Sequence, residues 1–206
     1  MTGVNPKHNS SWRPKIAARP GLTRAALACL VLVASGFPLG LPAQGSLPGY
    51  RHPSIQTKLG IWYKPDAPVR SRMWEPGDPG QPLFIRARVL DVQGKPVPGA
   101  VVELWHADKD GFVETGQFRA QVQTSEKGEF RLTTVLPGYI FGPRHIHFKI
   151  THSGHSELVT RVFFRRDPVI KLHDYKAIIM VLEDGLTNGD TPALFGSVEF
   201  VLPSRG

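Results

Sequence analysis

From Leu83 onward the chain alternates apolar and polar residues in short runs, each closed by turn-forming residues. A period of two marks a strand with one buried face, because successive side chains point to opposite sides. The pattern predicts strands over Leu83–Asp91, Ala100–His106, Phe118–Thr124, Glu129–Val135, Ile146–His152, Leu158–Phe164, Ala177–Glu183 and Ser197–Leu202. Turns at Gln93-Gly94-Lys95-Pro96, Lys109-Asp110-Gly111, Glu126-Lys127-Gly128 and Pro137-Gly138 separate several of them. No convincing long helix, sequence repeat or low-complexity tract interrupts the series. Spacing of this kind predicts an all-β fold, an antiparallel β-sandwich over residues 83–206. Residues 45–82 are rich in Pro and Gly and weakly periodic, so they are expected to wrap the domain as an irregular arm.

Residues 1–44 have a different character. Lys7, Arg13, Lys15, Arg19 and Arg24 precede an apolar run, Ala25–Leu41, that ends in Leu41-Pro42-Ala43-Gln44. A basic start, an apolar middle and a small residue at the break predict a secretory signal peptide cleaved near Ala43. The protein is then expected to be exported, to a periplasm or to the extracellular space. An uncleaved N-terminal membrane anchor is the alternative, weakened by Ser35-Gly36 and Pro38 inside the run.

Composition adjusts this picture in two ways. The formal charge of +8 is concentrated in the leader; from residue 51 onward 20 cations oppose 17 carboxylates, leaving +3. No basic stripe interleaved with aromatics appears, so nucleic acid is not an expected partner. Cys29 is the only cysteine and lies in the apolar run. The mature chain would therefore carry no intramolecular disulfide and no thiol nucleophile. A G-x-S-x-G elbow is also missing, which argues against a hydrolase.

The candidate chemistry lies in Tyr139-Ile140-Phe141-Gly142-Pro143-Arg144-His145-Ile146-His147-Phe148-Lys149-Ile150. In a strand, His145 and His147 share one face while Ile146, Phe148 and Ile150 share the other, toward a core. Two imidazoles on a rigid element with a phenol six residues upstream form a candidate metal site. Two solvent-facing histidines on a half-exposed strand are the alternative.

Four stretches, in order, carry a family resemblance. They are Tyr63-Lys64-Pro65-Asp66-Ala67-Pro68-Val69-Arg70; Gly94 through Asp108, with Val102-Glu103-Leu104-Trp105-His106-Ala107-Asp108; the hairpin Gln121–Pro137, with Ser125 where Asp is usual; and Tyr139–Ile150. Together, from about Ile61 to Pro168, they resemble the intradiol ring-cleavage dioxygenases, which open catechols between the two hydroxyls. The resemblance implies a prealbumin-like β-sandwich, non-haem Fe(III), and a small catechol-like aromatic with O2 as substrates; a divalent metal is the alternative cofactor. By position it implies Tyr139, His145 and His147 as metal ligands, with Tyr139 also receiving a substrate proton.

Two positions depart from the family pattern. Its first ligand tyrosine falls at Val113, and its arginine falls at Gly142, with Arg144 nearby as the candidate catalytic cation. Tyr63 is the first candidate for a substitute ligand or a substrate contact; Asp108, Glu114, His106, His152, His155 and His173 are further donors. Simpler roles are expected for several residues: His106 packed or hydrogen-bonded, Trp105 in the core, Glu103 a strand-face carboxylate, Asp108 a turn former, His152 and His155 exposed in a hairpin, and Arg161–Arg166 a solvated strand end. Two functions follow from these features. One is an exported intradiol dioxygenase. The other is a dioxygenase-like sandwich that has lost ring cleavage and binds a metal or ligand, or serves as a surface module. A homo-oligomer, with the arm at its interface, is a further expectation.

Overall fold

The computed structural model describes residues 50–113, 116–165, 167–170 and 178–206. The predicted leader, Glu114 and His173 lie outside the described residues. Nine strands form two stacked sheets: β1 (Pro82–Leu90), β2 (Val101–Trp105), β3 (Arg119–Gln123), β4 (Glu129–Val135), β5 (His145–Thr151), β6 (Leu158–Phe164), β7 (Ile178–Met180), β8 (Leu182–Leu186) and β9 (Pro192–Val201). One sheet has the order β4-β1-β9-β8 and the other β3-β2-β5-β6-β7. The all-β sandwich is as the periodicity predicts. Its pairing is mixed, however, because β1 runs parallel to β9 and β6 parallel to β7. The remaining ladders are antiparallel.

The predicted strand Ala177–Glu183 is two strands in different sheets. The chain leaves the five-stranded sheet after Met180 and joins the four-stranded one at Leu182, with Val181 as the 51 % exposed joint. The last strand is also longer than predicted and begins at Pro192.

Between the sheets, alternate residues meet to form the core. Leu83, Ile85, Ala87 and Val89 of β1 and Val198 and Phe200 of β9 face Val102, Leu104, Ile146, Phe148, Ile150 and Val162 of the other sheet. Phe148 and Phe200 are both fully buried, with ring centroids 4.9 Å apart. Each such side chain contributes roughly 1.5–3 kcal/mol through removal of its surface from water.

The arm fixes where a site can form. Its backbone pairs with β3 through Arg70 N–H to Gln121 C=O, and with β4 through Met73 N–H to Thr133 C=O. These are the edge strands of the two sheets on the same side. Upstream, Thr57 N–H donates to the Val159 carbonyl of β6. Residues 57–63 therefore lie over the outer face of the five-stranded sheet. That cover explains why Trp105, Val159 and Phe163, which point away from the sandwich core, are nonetheless buried.

Candidate metal centre

Strand alternation builds the site on the outer face of the five-stranded sheet. Ile146, Phe148 and Ile150 of β5 are fully buried in the core, so His145, His147 and Lys149 face outward. Across the ladders His147 stands opposite Trp105 of β2 and Arg161 of β6, and Lys149 stands opposite Glu103. The Trp105 indole lies flat on the His147 ring, at 4.9 Å between centroids and 7° between planes. This contact fixes the plane of the imidazole. Trp105 is buried as predicted, but under the arm on the outer face rather than between the sheets.

The Nε2 atoms of His145 and His147 face each other at 3.1 Å. His145 Nδ1 lies 2.8 Å from the Pro143 carbonyl, an acceptor only, so Nδ1 carries the proton and Nε2 presents a lone pair. His147 Nδ1 is buried without a hydrogen-bond partner among the described residues. Burial holds both imidazoles neutral. It lowers the His147 pKa to about 3, with help from His145 and then Arg161, and it lowers that of His145 as well. Two lone pairs aimed at one point repel unless a proton or a metal ion lies between them. Neutral imidazoles of this kind fit a first-row metal ion.

The walls come from three segments. A cleft of about 490 Å³ is bounded by arm residues including Gly60 and Trp62, by the turn residues Ile140 and Phe141, and by His145, His147 and Arg161. Trp62 and Phe141 stack across its mouth, 5.8 Å apart and 8° from parallel, although Phe141 is otherwise 94 % exposed. A smaller hollow behind it is lined by Trp105, His106 and Val113 together with the two imidazoles. Val113 thus faces the pair and offers it no donor atom.

Glycine brings the Val113 and Tyr139 loops together. Gly138 N–H donates to the Asp108 carbonyl at 2.7 Å. Gly111 has φ +95°, and a methyl group there would overlap the Tyr139 carbonyl. Asp108 is a turn former, its Oδ1 accepting from the N–H groups of Asp110 and Phe112. His106 is packed and hydrogen-bonded, with Nδ1 2.6 Å from the Ala107 carbonyl and Nε2 2.7 Å from Thr134 Oγ1.

The other sequence candidates are placed as follows. Tyr139 is 40 % exposed, with the Arg144 guanidinium 4.4 Å from its ring centroid. Among the described residues no hydrogen bond joins Tyr139 to either imidazole. The structure therefore brings Tyr139 and Arg144 together, and His145 and His147 together, as two neighbouring pairs. Tyr63 sits on the far side of Trp105, where its hydroxyl accepts from Lys149 Nζ at 3.0 Å and donates to Glu103. That oxygen is committed to a charged cluster rather than aimed at the imidazoles. Hydrogen bonds that Lys149 donates to Tyr63 and to Glu103 raise its pKa. His152 and His155 are half-buried rather than exposed, their Nδ1 atoms 3.1 Å apart.

Arg161 is the site residue that sequence reasoning missed. It is not part of a solvated strand end but stands beside His147 and lines the cleft. The signal was its even spacing within a strand antiparallel to the His-x-His strand, which becomes informative only once the hairpin register is known.

A family model described as Dioxygenase matches residues 63–141. The catechol 1,2-dioxygenase of Acinetobacter baylyi is 31 % identical over 144 residues, covering 56 % of this chain and 46 % of its own. These matches support the intradiol ring-cleavage dioxygenase family as the one this chain resembles. The 6-chlorohydroxyquinol 1,2-dioxygenase of Cupriavidus pinatubonensis is 33 % identical over 117 residues, 44 % of this chain and 42 % of that relative. The chain spans about half the length of these curated relatives. A solved structure fits it more completely. The dioxygenase domain of a dioxygenase–carbohydrate-binding protein fusion from Streptomyces sp. SirexAA-E is 28 % identical, with a TM-score of 0.65, and covers 75 % of this chain and 100 % of its own. The matched family segment carries Tyr63, Val113 and Tyr139 but ends before the His145/His147 strand.

Proposed function

We propose that this protein is an exported, iron-dependent intradiol dioxygenase that cleaves a small catecholic aromatic with O2. The convergence of His145 and His147 Nε2 at 3.1 Å, inside an aromatic-walled cleft, carries this reading. His145 and His147 would hold the iron, with Tyr139 as the anionic oxygen donor suited to a ferric ion. A bound ferric ion supplies Lewis acidity and orients a chelating catecholate for reaction with O2. The chain's own residues do the rest. Pro143 and Trp105 set the two imidazole planes, which preorganises the ligand nitrogens. Trp62 and Ile140 give the substrate ring apolar walls and restrict water. Tyr139, next in the chain to the cleft-lining Ile140, is the group suited to accept a substrate proton. The basic-then-apolar pattern of residues 1–44 supports export.

One observation favours a second reading, a sandwich that binds metal or ligand without ring cleavage. Val113 lines the hollow behind the imidazoles and supplies no donor. Iron analysis, a visible spectrum and O2 uptake with catechol separate the two. The first reading expects a coloured tyrosinate–iron protein that consumes catechol and O2 together and yields a muconate-type diacid. A colourless, iron-free protein without O2 uptake would leave only the second.

A further inference from the structure

We propose that Arg161 supplies the counter-charge for a phenolate bound in the cleft, filling from β6 the role for which Gly142 has no side chain. The proposal rests on the dioxygenase reading and adds a residue to it. Arg161 pairs directly with His147 across the β5–β6 ladder and so projects from the same sheet face. It lines the cleft together with both imidazoles. Its Nε is buried and has no hydrogen-bond partner, and no carboxylate forms an ion pair with it among the described residues. Its aromatic neighbour, Phe163, is 5.8 Å from the guanidinium carbon, the outer limit for a cation–π contact.

The charge balance around the cleft points the same way. Lys58 is the other cation lining it, and no Asp or Glu does so among the described residues. A partly desolvated guanidinium without an anion is held at a cost, which an entering anion would relieve. Arg144 also has a buried Nε without a partner, but it does not line the cleft and its guanidinium lies over the Tyr139 ring. A catechol entering as a phenolate would place its negative oxygens among the imidazoles and this cation. The planar fork of N–H donors suits both that charge and its spread into the ring.

The test uses iron-loaded full-length protein under anaerobic conditions and two probes: 4-nitrocatechol, read by its visible absorbance, and the uncharged dimethyl ether of catechol. Arg161→Gln should weaken 4-nitrocatechol binding roughly 10- to 100-fold, the range for one charge-assisted hydrogen bond. Iron content, melting temperature and ether binding should stay at wild-type values, and Arg161→Lys should recover part of the loss. If Arg161→Gln fails to fold, the salt dependence of the wild type decides: 4-nitrocatechol affinity should fall with ionic strength while ether affinity holds. Unchanged 4-nitrocatechol binding in Arg161→Gln, equal weakening of both probes, or a salt-independent wild type overturns the proposal while leaving a catechol-consuming enzyme intact. A wild type that takes up no iron and consumes no catechol overturns the dioxygenase reading, and this proposal with it.

Discussion

Acidification should destabilise the metal-free protein through His106, a residue in the wall behind the two imidazoles. Its ring is fully enclosed, with Phe118 stacked on one side at 5.0 Å and both nitrogens engaged by Ala107 and Thr134. Burial lowers its pKa from 6.5 to about 4, and the Ala107 hydrogen bond opposes this only in part. The folded state therefore binds the proton less tightly than the unfolded chain. The associated stability is fully present above pH 6.5 and is lost as the pH falls toward 4. At about 1.4 kcal/mol per tenfold in proton affinity, the whole gap amounts to ~3 kcal/mol. About 2 kcal/mol of this should disappear between pH 7.5 and pH 5, against a total stability of roughly 5–15 kcal/mol for a domain. The assay is urea denaturation of chelator-stripped wild type and His106→Gln at those two pH values. His147 acts in the same direction and is present in both proteins, so the difference between their pH-dependent losses isolates His106. Equal losses would show that His106 is not held neutral by burial, and the reasoning would fail.

Four further substitutions test the geometry. Val113→Tyr puts a phenol on a residue that lines the hollow behind the imidazoles; if the loop shifts to admit the ring, it should raise iron content and any ring-cleavage rate, and unchanged metal content would count against the positional match. His147→Ala should abolish iron binding while the metal-free protein still melts cooperatively near the wild-type temperature. Phe148→Ala, one residue along and on the opposite face, should cost about 3–5 kcal/mol in urea denaturation; a similar loss from both would contradict the division of faces. Gly111→Ala should destabilise by roughly 1–3 kcal/mol through its φ of +95° and the Tyr139 carbonyl behind it, seen as a lower midpoint; a wild-type midpoint would show that the two loops can part.

How much of this was legible in sequence depends on how far a contact reaches along the chain. Glu129–Val135 and Leu158–Phe164 fall where their alternation puts them. So does the division of β5 into a core face and a histidine face, because alternation is a local property. The parallel pairing of β1 with β9 joins residues more than a hundred positions apart, and no local pattern encodes it. The sheet change at Val181 was invisible because the residues on both sides of it are strand-like in composition. Arg161 was misread for the same reason: its neighbours in sequence are charged, but its neighbour across the ladder is His147. Tyr63 lies close to the site in sequence motif, yet Lys149 and Glu103 draw its hydroxyl to the other side of Trp105.

Because β5 carries packing on one side and chemistry on the other, what makes the protein fold and what makes it react are nearly independent in inheritance. Val113 lines the hollow beside the imidazoles, whereas Phe148 and Phe200 are packed in the core on the other side of the sheet, so a change at the first need not disturb the second pair. Such a scaffold can drift between catalysts and mere binders while keeping one shape. For the experimenter, it also means that changes to the arm from Thr57 to Tyr63 act on the outer face and leave the packing between the sheets as it stands.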